Sequence, residues 1–128
     1  MEIMKQSGSD LASQVIGSAI EVHRHLGPGL LESAYEACLC RELVIKEIPF
    51  VRQVPLQIQY KGESIDCAYR IDIVVNGSLL LELKSTESIQ PIHQAQIISY
   101  LKLSGIKQGL LINFNVRVLK DGIKSFLN

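Results

Sequence analysis

The sequence predicts an α/β domain, a mixed central sheet with helices on its faces. Three observations carry this. Apolar residues recur at helical spacing as far as residue 46 and then at alternate positions from residue 53. Asn76-Gly77 joins two apolar strands, and a further helical stretch separates them from the apolar run 110–114. The resulting order, α-α-β-β-β-α-β-β, is the mixture in which helices cover a sheet to give an α/β/α sandwich.

The elements follow in order. Ser9 or Asp10 can cap a first helix running to residue 26, with Leu11, Val15, Ala19, Val22 and Leu26 on one stripe. Gly27-Pro28-Gly29 breaks it, because glycine suits a left-handed cap and proline cannot continue the helix. A second helix spans 30–46, with Leu31, Ala34, Tyr35, Cys38, Leu39 and Leu43 inward. Val54, Leu56, Ile58 and Tyr60 alternate with Gln53, Pro55, Gln57 and Gln59, a half-exposed strand. Pro55 lacks an amide proton, which assigns that strand to an edge. Lys61-Gly62 turns the chain into a strand over 64–75, and Asn76-Gly77 into another over 79–84. Pro91 suits the first turn of a third helix that runs to residue 103 and ends at Gly105. Leu110-Leu111-Ile112-Asn113-Phe114 reads as an interior strand, parallel to its neighbour because a helix precedes it. A strand over 116–119 and a short C-terminal helical segment complete one domain over 1–128.

Composition excludes several classes. A hydrophobic fraction of 47% and a charged fraction of 20% belong to a globular chain with a real core. No run of about 18 apolar residues exists to span a membrane, and the N-terminus lacks the apolar centre of a secretory signal. Three cysteines, Cys38, Cys40 and Cys67, show no metal-ligand spacing. Their odd number leads us to expect reduced, partly buried thiols in a cytoplasmic protein. Zero net charge argues against non-specific coating of nucleic acid, but the average hides an asymmetry. Residues 84–128 carry six basic side chains against Glu87 and Asp121, and residues 1–83 balance them with a net charge of −4. No Walker or Rossmann glycine loop and no nucleophile elbow with a histidine–acid pair occurs.

The chemistry concentrates in a short stretch. Asp72 lies on one strand, and Glu82-Leu83-Lys84 closes the aliphatic run of the next. Alternation puts Glu82 and Lys84 on one face and Leu83 on the other. Charges ending an apolar run are costly to bury unless paired or bound to metal, and two carboxylates with a lysine suit metal-assisted phosphodiester hydrolysis. Register decides whether they meet. A two-residue Asn76-Gly77 loop would set Asp72 opposite Leu81 and turn it away from Glu82. Bringing Asp72 and Glu82 together requires a three-residue loop or a bulge, and we expect that irregularity.

These residues resemble a known family. Asp72…Glu82-Leu83-Lys84 resembles the core of the PD-(D/E)xK nuclease superfamily, and Gln96-Ile97-Ile98-Ser99-Tyr100 the QxxxY element of its RecB-like branch. Gly29-Leu30-Leu31-Glu32-Ser33-Ala34-Tyr35 matches the GxxExxY signature of a small bacterial and archaeal family within it. The match extends from Val22 to Asn113-Phe114. One departure is Ile71, where the superfamily's name has proline before the acid. The resemblance implies a restriction-endonuclease-like fold, a Mg²⁺ or Mn²⁺ cofactor and a nucleic-acid partner, DNA ahead of RNA. No membrane partner is implied, and a homodimer stays open.

It also implies roles. Asp72 and Glu82 would ligate the metal, with the Leu83 carbonyl and Glu32 as further donors. Lys84 would orient the attacking water and offset charge in the transition state. Gln96 would bind phosphate oxygen or brace Lys84, with Tyr100, His93 and Tyr35 in support. Each has a plainer reading. Asp72 can pair with Arg70, Lys84 with Glu82, and Glu32 can serve the helix dipole. Tyr35 and Tyr100 can be core aromatics, with Tyr35 orienting Glu32, and His93 a surface histidine. The leading function is a metal-dependent nuclease using metal-activated water. The rival is a catalytically idle nuclease fold that binds nucleic acid or a protein, and a third reading is hydrolysis of a small phosphorylated ligand.

Overall fold

The computed structural model describes residues 8–128. Residues 1–7, read above as lacking a secretory signal, and the side chain of Ser9, read as a cap, lie outside the described residues. The elements are α1 (Gly8–Leu26), α2 (Glu32–Ile45), β1 (Phe50–Tyr60), β2 (Glu63–Val75), β3 (Leu79–Lys84), α3 (Pro91–Ser104), β4 (Gln108–Asn113) and β5 (Ile123–Leu127). The strands form one mixed sheet in the order β1-β2-β3-β4-β5, antiparallel except for the parallel pair β3–β4. Strand β1, with Pro55, is an edge, and β4 is interior and parallel to β3.

The sheet separates two cores. Leu11, Val15 and Val22 of α1 and Tyr35, Leu39 and Leu43 of α2 pack on Ile73, Leu81, Leu83 and Ile112. On the opposite face Ile97, Tyr100 and Leu101 of α3 pack on Val74, Leu80 and Leu111. The predicted α/β/α sandwich is therefore the observed one. Alternation along β3 sends Leu79, Leu81 and Leu83 to the α1–α2 core and leaves Leu80, Glu82 and Lys84 for the α3 side. A Cβ on Gly109 would stand 3.1 Å from the Ile97 side chain, so glycine there lets α3 lie close over β4.

Several local expectations need correction. The chain over Val116 to Val118 is not a strand; a 3₁₀ turn over Leu119–Gly122 follows, and the C-terminal segment is the edge strand β5. Its apolar residues mimic a helical period because Ile123 packs into one core and Phe126 into the other. Leu26, at the end of α1, is exposed, and so is Leu31. Leu31 is the extended residue before α2, with φ −72° and ψ 152°, and so stands off the helical stripe.

The β2–β3 hairpin carries the irregularity that the site needs. Asn76 and Gly77 both have positive φ, and the Ser78 amide donates to the Val75 carbonyl (3.0 Å), a tight turn of the kind Asn-Gly favours. Ser78 adds one residue, so Val75 stands opposite Leu79 and Ile73 opposite Leu81. Asp72 and Glu82 consequently face each other across the seam.

Candidate active site

Beyond Ile73 and Leu81 the carboxylates themselves continue the ladder. The Asp72 amide donates to Glu82 Oε2 (3.0 Å), and the Leu83 amide donates to Asp72 Oδ2 (2.7 Å). Each acid thus binds the backbone of the other's strand, which locks the pair side by side. Glu82 is 4% exposed. Burial first, and then the neighbouring Asp72 charge, push its carboxyl up to about 8, against the opposing effect of the amide bond and Lys84. Burial raises Asp72 as well; the Leu83 amide opposes it, Glu36 and Glu32 add to the rise, and Lys84 again lowers it.

Lys84 reaches toward α3, where its Nζ donates to Gln96 Oε1 (3.4 Å). Gln96 Nε2 in turn donates to the Tyr100 hydroxyl (3.1 Å), one turn further on. Tyr100 is a buried core aromatic whose hydroxyl is raised by burial and by the Glu82 charge. Among the described residues Asp72 makes no ion pair with Arg70, whose Nη1 donates to the Tyr69 carbonyl, and Lys84 makes none with Glu82. The Phe114 amide holds the Lys84 carbonyl at 2.9 Å. Leu83 places its side chain in the α1–α2 core and its amide on Asp72.

Glu32, in the first turn of α2, accepts the Ser85 amide through Oε2 (3.2 Å). It therefore ties α2 to the residue after Lys84, close enough that its charge adds to the rise at both acids. Tyr35 does not orient Glu32: its hydroxyl donates to the Gly27 carbonyl (2.5 Å) and accepts the Leu30 amide (3.1 Å), locking the turn that leads into α2. Its ring stacks on Phe114, with centroids 4.3 Å apart. His93 Nδ1 accepts the Gln90 amide (2.9 Å) at the start of α3.

Sequence reasoning missed three supports. Glu36, one turn after Glu32, is buried and accepts Arg52 Nε (3.0 Å) and Gln53 Nε2 (3.0 and 3.2 Å). Its i, i+4 spacing from Glu32 was a usable signal. Gln53 lies between the pairs Arg52–Ile73 and Val54–Ile71, opposite Asp72, in a left-handed conformation (φ 50°) that no motif announces. Asn113 is buried, donates to the Thr86 carbonyl (2.9 Å) and accepts the Thr86 amide (3.1 Å), fixing the segment after Lys84.

Oδ1 of Asp72 and Oε1 of Glu82 carry no hydrogen bond among the described residues. No group of three or more His, Cys, Asp or Glu suited to a metal occurs among them either. The donor set is thus a carboxylate pair, which fits a hard cation such as Mg²⁺ that binds through one or two carboxylates and keeps its waters. The sequence model of the PD-(D/E)XK nuclease superfamily matches residues 9–126. The chain belongs to the PD-(D/E)XK nuclease superfamily, and the three α-helices and five-stranded mixed sheet of the described residues are consistent with the restriction-endonuclease-like fold. No curated protein and no solved structure matches the chain. The superfamily typically uses divalent metal, and membership implies a nucleic-acid ligand. Among the described residues no helix is long and apolar enough to cross a membrane.

Proposed function

We propose that this chain is a divalent-cation-dependent nuclease of the GxxExxY branch that hydrolyses phosphodiester bonds in nucleic acid, DNA ahead of RNA. The observation that carries the reading is the locked Asp72–Glu82 pair with Lys84 beside it, Glu82 buried where unpaired charge is costly and the other two half-buried. Asp72 and Glu82 would hold Mg²⁺ or Mn²⁺, with Glu32 and the Leu83 carbonyl adjoining. The bound cation supplies Lewis-acid charge at the phosphate and lowers the pKa of water. Lys84 offsets charge that grows on the phosphate oxygens and orients the attacking water. Gln96 fixes the Lys84 ammonium, and Tyr100 fixes Gln96.

One observation favours the idle-fold reading. Both carboxylates already accept amides, so they also serve as structural staples of the β2–β3 seam. Isothermal titration with Mn²⁺ separates the two. The nuclease reading expects binding by the wild type with proton release, and loss of binding in Asp72→Asn. A wild type that takes up no Mn²⁺, or a variant that binds equally well, would remove the metal site.

A further inference from the structure

We propose that the groove between α3 and the β1–β2 arm takes up an unpaired nucleobase, which makes single-stranded nucleic acid the substrate class. This rests on the nuclease reading and narrows it. The groove is a pocket of ≈ 690 Å³, within the usual range for small-molecule sites. Ile58 and Tyr69 of the arm form one wall, and Ile92, Tyr100 and Leu103 of α3 the other. Lys84 and Gln96 also line it, so it shares the lysine and glutamine of the candidate site. A strand whose scissile phosphate lies at Lys84 therefore delivers a neighbouring nucleotide here.

The walls have the chemistry of a base-stacking platform. Tyr69 is 43% exposed and tilts against Tyr100, with centroids 6.0 Å apart. Ile92 is 70% exposed and Leu103 41%. Apolar side chains left in water around a groove with a polar rim mark a binding surface. The arm is shaped for this contact: Cys67 and Ala68 bulge out of the register with β1, Ala68 at φ 62°, and Tyr69 is the first residue past the bulge. Bulges beside active sites re-aim side chains in this way.

Charge points to the same occupant. Lys84, His93 and Lys102 line the groove, and no Asp or Glu is among its described lining residues. His93 Nδ1 accepts the Gln90 amide, which leaves Nε2 as the ring's donor for a phosphate oxygen. A paired base buries both faces in its stack and must be extruded to enter, whereas a single strand offers the face freely. A neutral chain with few groove cations is also poorly equipped to hold a duplex by its phosphates.

The test uses oligonucleotides carrying 2-aminopurine, as single-stranded DNA, single-stranded RNA and duplex DNA. Binding is measured in EDTA at low salt, so that cleavage does not consume the probe. The wild type should bind a single strand more tightly than the duplex and change the probe's emission. Tyr69→Leu should weaken single-strand binding about tenfold, and Tyr69→Phe should restore it, with folding checked by circular dichroism. Binding of either single strand supports the proposal, and the DNA and RNA arms identify the sugar. Duplex binding as tight as single-strand binding, no binding at all, or unchanged affinity in Tyr69→Leu would overturn it. Cleavage in Mg²⁺ is read separately on the same strands. Cleavage with Tyr69-independent binding removes the subsite and leaves the nuclease. Tyr69-dependent binding without cleavage removes the nuclease and leaves the subsite.

Discussion

Replacing Glu82 by glutamine should stabilise the metal-free protein at alkaline pH while disabling the site. The fold holds the Glu82 carboxyl up at about 8 against an ordinary value of 4.5. Below 4.5 the group is protonated both folded and unfolded, and it costs nothing. Between 4.5 and about 8 the folded chain holds a proton that the unfolded chain has released, so stability falls as pH rises. At ~1.4 kcal/mol per pH unit, full ionisation costs on the order of 5 kcal/mol, a large share of a typical domain's stability. Glutamine keeps an acceptor for the Asp72 amide and removes the charge. Urea denaturation in EDTA should show the wild type losing stability from about pH 5 to pH 8 and levelling off above. Glu82→Gln should show a shallower slope, the remainder coming from Asp72, and should exceed the wild type at pH 8. Added Mg²⁺ should restore the wild type and leave the variant unchanged. A wild-type profile that is flat or rises over this window, or a variant less stable than the wild type at pH 8, would show that ionisation of Glu82 does not limit stability.

Mn²⁺ affinity should strengthen with pH up to about 8, by up to about tenfold per unit, as the metal displaces the Glu82 proton; titration in buffers of different ionisation enthalpy counts the protons released. Glu36→Ala strips Arg52 and Gln53 of their acceptor. It should cost about 1–3 kcal/mol in urea denaturation, a value moderated by the half-exposed Arg52 side chain. Gly122→Ala would set a Cβ 2.2 Å from the Asn113 carbonyl oxygen. Because that oxygen is backbone, the chain must move, with an expected loss of about 2–3 kcal/mol and a lower melting temperature.

Much of the framework was legible because local signals agreed with the tertiary fold. Pro55 marked the edge, the helix before Leu110 marked the parallel strand, and Asn76-Gly77 marked the turn. The meeting of Asp72 with Glu82 was expected from chemistry to need a three-residue loop or a bulge, and Ser78 supplies the longer loop. What escaped the sequence is what depends on distant packing. Strand β5 serves two cores at once, so its apolar spacing imitates a helix. Tyr35 sits one turn from Glu32 but spends its hydroxyl on the preceding turn, because the Gly27 carbonyl and Leu30 amide lie within reach. The Glu36–Arg52–Gln53 contact joins residues 16 and 17 positions apart on different elements, and Gln53 adopts its left-handed backbone without any turn residue to signal it.

The activity proposed for the Asp72–Glu82–Lys84 centre is phosphodiester cleavage. The most direct measurement is cleavage of end-labelled single- and double-stranded DNA and RNA in Mg²⁺ or Mn²⁺, by the wild type and by Lys84→Ala of verified fold. If Lys84 acts mainly on charge that develops in the transition state, the variant should retain metal binding, lose only a modest part of its nucleic-acid affinity and lose turnover about 10²–10³-fold. Wild-type protein that cuts none of these strands while binding one of them regardless of metal, or a Lys84→Ala variant that cuts as fast as the wild type, would contradict the account.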